Sequence, residues 1–117
     1  MIFMKSGVRK LINDKMTIQE FRLLEEPKDD WSPIQKALWF DKKGDWKTAH
    51  DLVDRLDGTA AAHVHAYLHR KEGDLWNAGY WYNRAKQPVF TGPLESEWEE
   101  LFKRFFCAMT CGIRLSQ

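Results

Sequence analysis

ALWFDKKGDWKTAHDLVDRL, residues 37–56, and AYLHRKEGDLWNAGYWYNRA, residues 66–85, align at a constant offset. Gly44 falls opposite Gly73, Asp45 opposite Asp74, Ala49 opposite Ala78, and Val53 opposite Tyr82. Ala37 and Ala66 correspond one turn-pair earlier. The shared G-D-x-x-x-A core has a physical logic. The glycine leaves one helix through a left-handed turn, the aspartate caps the next, and the small alanine lets the two helices approach closely. A unit of this kind cannot bury its own apolar face, so repetition predicts stacked helix-turn-helix pairs.

Working outward, the same punctuation sets the remaining helices. Ser32-Pro33-Ile34-Gln35 reads as a capping box with proline at the first helical position, opening a helix that runs to Lys42 and Lys43 and stops at Gly44. Asp45 opens the next, with Trp46, Ala49, Val53 and Leu56 inward, and Gly58 ends it. Thr59 is expected to cap a third, with Ala60, Val64, Tyr67 and Leu68 inward, and Gly73 to end it. Asp74 caps a fourth, with Leu75, Ala78, Tyr82 and Ala85 inward, closed by Pro88. Upstream, Thr17-Ile18-Gln19-Glu20 is a second capping box before Phe21, Leu23 and Leu24, with Pro27 as the stop. Downstream of the QPVFTGP loop, residues 94–111 read as a long last helix with Leu94, Trp98, Leu101, Phe102, Phe105 and Met109 in its apolar stripe. Its early glutamates and later Lys103 and Arg104 match the helix dipole. No stretch sustains the period-two alternation of a strand.

The expectation is one all-α domain over residues 1–117: an antiparallel bundle or short solenoid of two helix-turn-helix units (32–88), an N-terminal helix and a C-terminal capping helix. Residues 1–16 read as a weakly ordered tail, and Met16 is an alternative start. A 44% apolar share with 14% aromatics and six tryptophans is ample for a core without disulfide or metal staples. Eighteen basic residues against 17 acidic ones, net +1, argue against a nucleic-acid binder. The one local excess, Lys5, Arg9, Lys10 and Lys15 around Asp14, reads as a solvated terminus. No apolar run is long enough to span a membrane, and no secretory signal is legible, so a cytoplasmic location is expected. Cys107 and Cys111 do not form a CxxC pattern and read as core residues.

The two units resemble the tetratricopeptide (TPR) repeat family, on Gly44, Asp45, Trp46, Ala49 and Val53 in the first and Gly73, Asp74, Ala78, Tyr82 and Ala85 in the second. The spacing is shorter than the usual TPR period, and His65 and His69 occupy positions where large apolar residues are the rule. HAYLHRKEGDLWNAGYWYNRA is also similar to a group of small bacterial proteins of uncharacterised function. The TPR resemblance implies a helical scaffold and a protein or peptide partner.

Two residue sets are candidates for function. His65 and His69 stand four apart on one helix face, near Glu72, with His63 on the same helix. Seven residues of helix rise ~10.5 Å, so His65 and Glu72 cannot share one ion whose ligands lie at ~2 Å. No metal signature completes a shell, so no metal or other cofactor is expected. Both rings are expected to face the partner helix of their own unit and to hydrogen-bond with Tyr82, His50 or a carbonyl. The second set, Trp76, Tyr80, Trp81 and Arg84, has the composition of an interaction hot spot. The bland expectation is that Trp98, Phe102 and Phe105 of the last helix cover it, and that Asp41, Asp45, Asp51, Asp54 and Asp57 are caps and a solvated face. No phosphate loop, dinucleotide fingerprint or nucleophile elbow is present. The function expected is a non-enzymatic interaction or scaffold module binding a protein partner or its own copy, as in a homodimer. The alternative is a small-molecule or metal-binding protein, or minor enzyme, with a pocket of His65, His69, Tyr80 and Arg84.

Overall fold

The computed structural model describes residues 16–106, which form six helices and, among the described residues, no strand. They are α1 (Ile18–Leu23), α2 (Pro33–Lys42), α3 (Trp46–Asp54), α4 (Thr59–Lys71), α5 (Leu75–Ala85) and α6 (Leu94–Phe106). The expectations for residues 1–15 and for Cys107, Met109 and Cys111 lie outside the described residues. No helix among the described residues is long and apolar enough to cross a membrane.

The two G-D turns are built alike. Gly44 and Gly73 sit at φ 93° and 89°, a region that any side chain would strain. Asp45 and Asp74 follow with nearly the same backbone, φ −100° ψ 72° and φ −92° ψ 79°. Their side chains accept from the amides of Thr48 and Asn77, so each satisfies a donor left open at a helix start, a bond worth ~1 kcal/mol. The aspartate amides in turn close the preceding helices by donating to the carbonyls of Phe40 and His69, at 2.8 and 2.9 Å. Ala37, Ala49, Ala66 and Ala78 are all buried, which seats α2 on α3 and α4 on α5 at close range. Both capping boxes, at Thr17–Glu20 and Ser32–Gln35, are formed.

The core follows from these two hairpins. Leu38, Val53, Val64 and Leu68 pack with Trp98, Leu101 and Phe102 of α6, and Phe21 of α1 is fully enclosed. Phe21 stacks on Trp31 at 5.5 Å and meets the edges of Phe102 and Phe106 at 5.1 and 5.2 Å. Burying such a ring stabilises by roughly 2–3 kcal/mol, so Phe21, the one fully buried residue of the six-residue α1, is its main anchor, with Ile18 and the flanking Leu24 packed beside it.

Several local expectations are corrected. Thr59 is the first residue of α4 and not its cap: Gly58 takes that place at φ 103°, with no side-chain bond. Leu75 is 67% exposed. Its counterpart Trp46 is covered because α4 follows α3, with the Trp46 Nε1–H donating to the Leu68 carbonyl at 2.8 Å, whereas no described helix takes that place beyond α5. Asp41 is no solvated acid but is buried, accepting from the Tyr67 hydroxyl at 2.9 Å and Lys71 Nζ at 2.8 Å. Glu97 is buried too, accepting from Arg70 Nε at 2.9 Å and from the Tyr82 hydroxyl, which ties α6 to α4 and α5. Burial, then the neighbouring carboxylate, pushes both tyrosine hydroxyls far above their ordinary range. Burial also pushes the Glu97 carboxyl up, against the pull of its Tyr82 and Arg70 bonds.

Candidate functional site

The histidines meet in the seam between the two hairpins. His65 and His69 project from α4 one turn apart with rings stacked at 4.9 Å, and His50 reaches them from α3. The Nε2 atoms of His50 and His65 are 2.9 Å apart, so one ring donates and the other accepts. One ring nitrogen from each of the three lies within 4.8 Å of the others. His69 Nδ1 is paired with Glu72 Oε2 at 2.8 Å, which fixes that ring's orientation. Asp54 Oδ1 stands 3.9 Å from His65 Nε2, and Asp51 Oδ1 4.0 Å from His50 Nδ1.

Two tryptophans frame the cluster. Trp46 stacks on His50 at 4.8 Å, and Trp81 stacks on His65 at 3.9 Å with the planes 15° apart. Trp46 is fixed by its bond to Leu68. The side chains of His65 and His69 are 3% and 11% exposed, and that of His50 is 21% exposed. Burial pushes His65 down to about 4; repulsion from His50 and then His69 adds to this, and Asp54 opposes it. His65 is therefore a neutral imidazole near pH 7, with a lone pair available. His63 is also pushed down to about 4, by burial and then by Arg104, but it turns away from the cluster toward Tyr82, 6.3 Å off.

The second set lies along α5. Trp76 is 78% exposed and Tyr80 45%, their rings parallel to 12° with centroids 6.4 Å apart. Arg84, one turn on, lies over Tyr80 at 5.7 Å and over Trp81 at 5.3 Å. Among the described residues, the cover expected from Trp98, Phe102 and Phe105 is absent. Trp98 and Phe102 are engaged with Phe21, and Phe105 packs on the same core. Only Trp81 of this set turns inward, toward His65.

The structure thus brings His65, His69 and Trp81 together, leaves Trp76, Tyr80 and Arg84 on an open face, and adds His50. Tyr82 does not bond the histidines, because Glu97 takes its hydroxyl. The place of His65 and His69 is also corrected. They line the seam between units and do not merely face the partner helix of their own unit. Periodicity within α4 could not find His50, since it arrives from another helix. Comparison with family models, with curated proteins and with solved structures finds no match for this chain.

Proposed function

We propose that the chain is a non-enzymatic interaction module, a short TPR-like solenoid whose second unit presents Trp76, Tyr80 and Arg84 to a protein partner. One observation carries this reading. With Gly44 laid on Gly73, Trp76 and Tyr80 fall on Lys47 and Asp51. In α3 those two form an exposed i,i+4 ion pair at 3.2 Å, with side chains 80% and 48% exposed. The same helix position is satisfied by a solvated salt bridge in one unit and by two stacked aromatics in the other. The fold therefore does not require the aromatics there, and open apolar rings with an adjacent arginine have the chemistry of a binding hot spot.

The partner surface that fits is an amphipathic helix laid on α5 as α4 lies on α3, with an acidic residue placed for Arg84. A small molecule held by His65, His69, Tyr80 and Arg84 would have to displace Trp81 from its stack on His65.

The test installs the first unit's solution in the second. Trp76→Lys with Tyr80→Asp should leave unfolding within ~0.5 kcal/mol of wild type, as exposed substitutions do. It should abolish retention of a partner from cell extract, or, if the partner is a second copy, the dimer seen by sedimentation velocity. Association by neither protein, or by both alike, overturns the reading.

A further inference from the structure

Three imidazoles on two helices form a donor set that helical packing alone does not explain. With the two units superposed through their glycines, the counterparts of His65 and His69 in α2 are Lys36 and Phe40, and that of His50 in α5 is Gly79. The scaffold is built once without these rings. Where they occur, they converge.

We propose that His50, His65 and His69 bind one divalent transition-metal ion, Zn²⁺ or the chemically similar Co²⁺, in the seam between the two hairpins. The donor type suits it: neutral imidazole nitrogens are the ligands of choice for such ions. The spacing suits it as well. Nitrogens ~2.0–2.1 Å from a tetrahedral ion stand roughly 3.3–3.4 Å from one another. The His50–His65 separation of 2.9 Å and the 4.8 Å limit on the group bracket that distance, so small ring rotations form the site without moving a helix.

The surroundings add what a metal-binding histidine needs. Glu72 holds His69 Nδ1, leaving Nε2 as the ligand, in the carboxylate–histidine–metal arrangement. Trp46 and Trp81 hold the planes of His50 and His65. Asp54, a carboxylate 3.9 Å from His65 Nε2, offers an acceptor for a water completing the ion's shell, and the part-exposed His50 gives the ion a way in. The group His69, Glu72 and Asp74 is a poorer candidate. Glu72 is engaged with His69 Nδ1, and both oxygens of Asp74 accept from Asn77.

The experiment titrates the full chain, freed of metal by chelation, with Co²⁺. The wild type should develop the visible absorption of a four-coordinate ion, saturating at one equivalent and displaced by Zn²⁺, and its melting temperature should rise with added Zn²⁺. His50→Gln keeps a polar side chain at a part-exposed position. It should weaken binding by at least the ~10–100-fold that follows loss of a ligand's own hydrogen-bond partner. Glu72→Gln, on the surface, should weaken binding by roughly tenfold. His63→Gln should bind as wild type does. Absence of a saturable one-equivalent signal in wild type overturns the proposal. So does binding undiminished in both His50→Gln and Glu72→Gln, which places the ion elsewhere.

Discussion

Replacing Glu97 with alanine is the sharpest probe of what holds the last helix. Its carboxylate is 1% exposed and accepts from Arg70 Nε and the Tyr82 hydroxyl. Arg70 is already short of partners, with Nη2 buried and unbonded and the guanidinium lying over Phe90 at 5.2 Å. Truncating Glu97 strands a largely buried cation and a buried hydroxyl together. Breaking a buried pair costs ~3–5 kcal/mol, and Arg70, 13% exposed, retains some water, so the lower end, about 3 kcal/mol, is expected. For a domain of this size that lowers the melting temperature by roughly 12–24 °C. In a Tyr82→Phe background, which removes the hydroxyl that would otherwise be stranded, Glu97→Leu combined with Arg70→Met should behave differently. The Glu97 carboxyl is raised by burial, so its charged form is disfavoured in the fold. Such a group adds stability below its unfolded value and loses it as pH rises through the folded one. Taking both charges out of water offsets much of their attraction, so the apolar pair should fall within ~1 kcal/mol of wild type. Urea unfolding followed by tryptophan fluorescence and far-ultraviolet dichroism reads both variants, with unchanged slope as the check on state. A cost under ~1 kcal/mol for Glu97→Ala, or a double variant as damaged as the single, refutes the reasoning.

Other outcomes follow from the same geometry. His63 and His65 are both pushed from 6.5 down to about 4, so between those values the unfolded chain binds more protons than the folded one. Their stability is complete above pH 6.5 and lost as pH falls toward 4; at 1.36 kcal/mol per unit, discounted for partial solvent screening, each contributes about 2 kcal/mol. Denaturant melts across pH 7.5 to 4.5 should show the decline, and His63→Gln should flatten it; a flat wild-type profile contradicts the assignment. Gly73→Ala should cost ~1–2 kcal/mol through its left-handed backbone alone, because an added Cβ meets nothing within 4 Å. Gly79→Ala, inside α5 with equally open space, should stabilise by ~0.5–1 kcal/mol; thermal melts that rank the two the other way would be decisive. Asp45→Ala and Asp74→Ala should each cost ~1 kcal/mol and add in the double variant, as separate caps do; strong non-additivity in urea titrations would show that the turns are coupled.

The features legible in the sequence are those whose cause is local. The capping boxes, the exits at Gly44 and Gly73 and the aspartate caps have local causes, and each appears where expected, whereas α3 already ends at Asp54 and Gly58 caps α4 instead of closing α3. What was not legible depends on which surface meets which. Asp41 looks like any acid near a helix end, until Tyr67 and Lys71 arrive from α4, 26 and 30 residues away. Glu97 sits in a run of glutamates and differs from them only because Arg70 and Tyr82 lie beneath it. Leu75 continues an apolar stripe by spacing, yet it faces the side where no described helix follows. The last helix was expected over Trp76 and Tyr80. It packs instead on α2 and α4, where Phe21 and Trp31 complete an aromatic socket that one helix's periodicity cannot reveal.

Because the chain carries the unit twice, one copy serves as the reference for the other. Positions that the hairpin needs are the same in both: the glycine at positive φ, the capping aspartate, the alanines in the contact. Subtracting these leaves differences that packing does not demand. At two surface positions, lysine and aspartate give way to tryptophan and tyrosine with little change in exposure. In the seam, Lys36 and Phe40 are answered by His65 and His69, and the half-buried Gly79 by His50. A helix would sooner carry leucine or alanine in such places, because a buried imidazole must find partners for its ring nitrogens. The substitutions cluster in space, one group on the open face of α5 and one between the hairpins, and Trp81 touches both, through Tyr80 at 5.1 Å and His65 at 3.9 Å. Divergence scattered by drift has no reason to gather around one side chain. Divergence that serves the binding proposed above does, and α5, through Trp81, touches both candidate sites, with His50 arriving from the first unit.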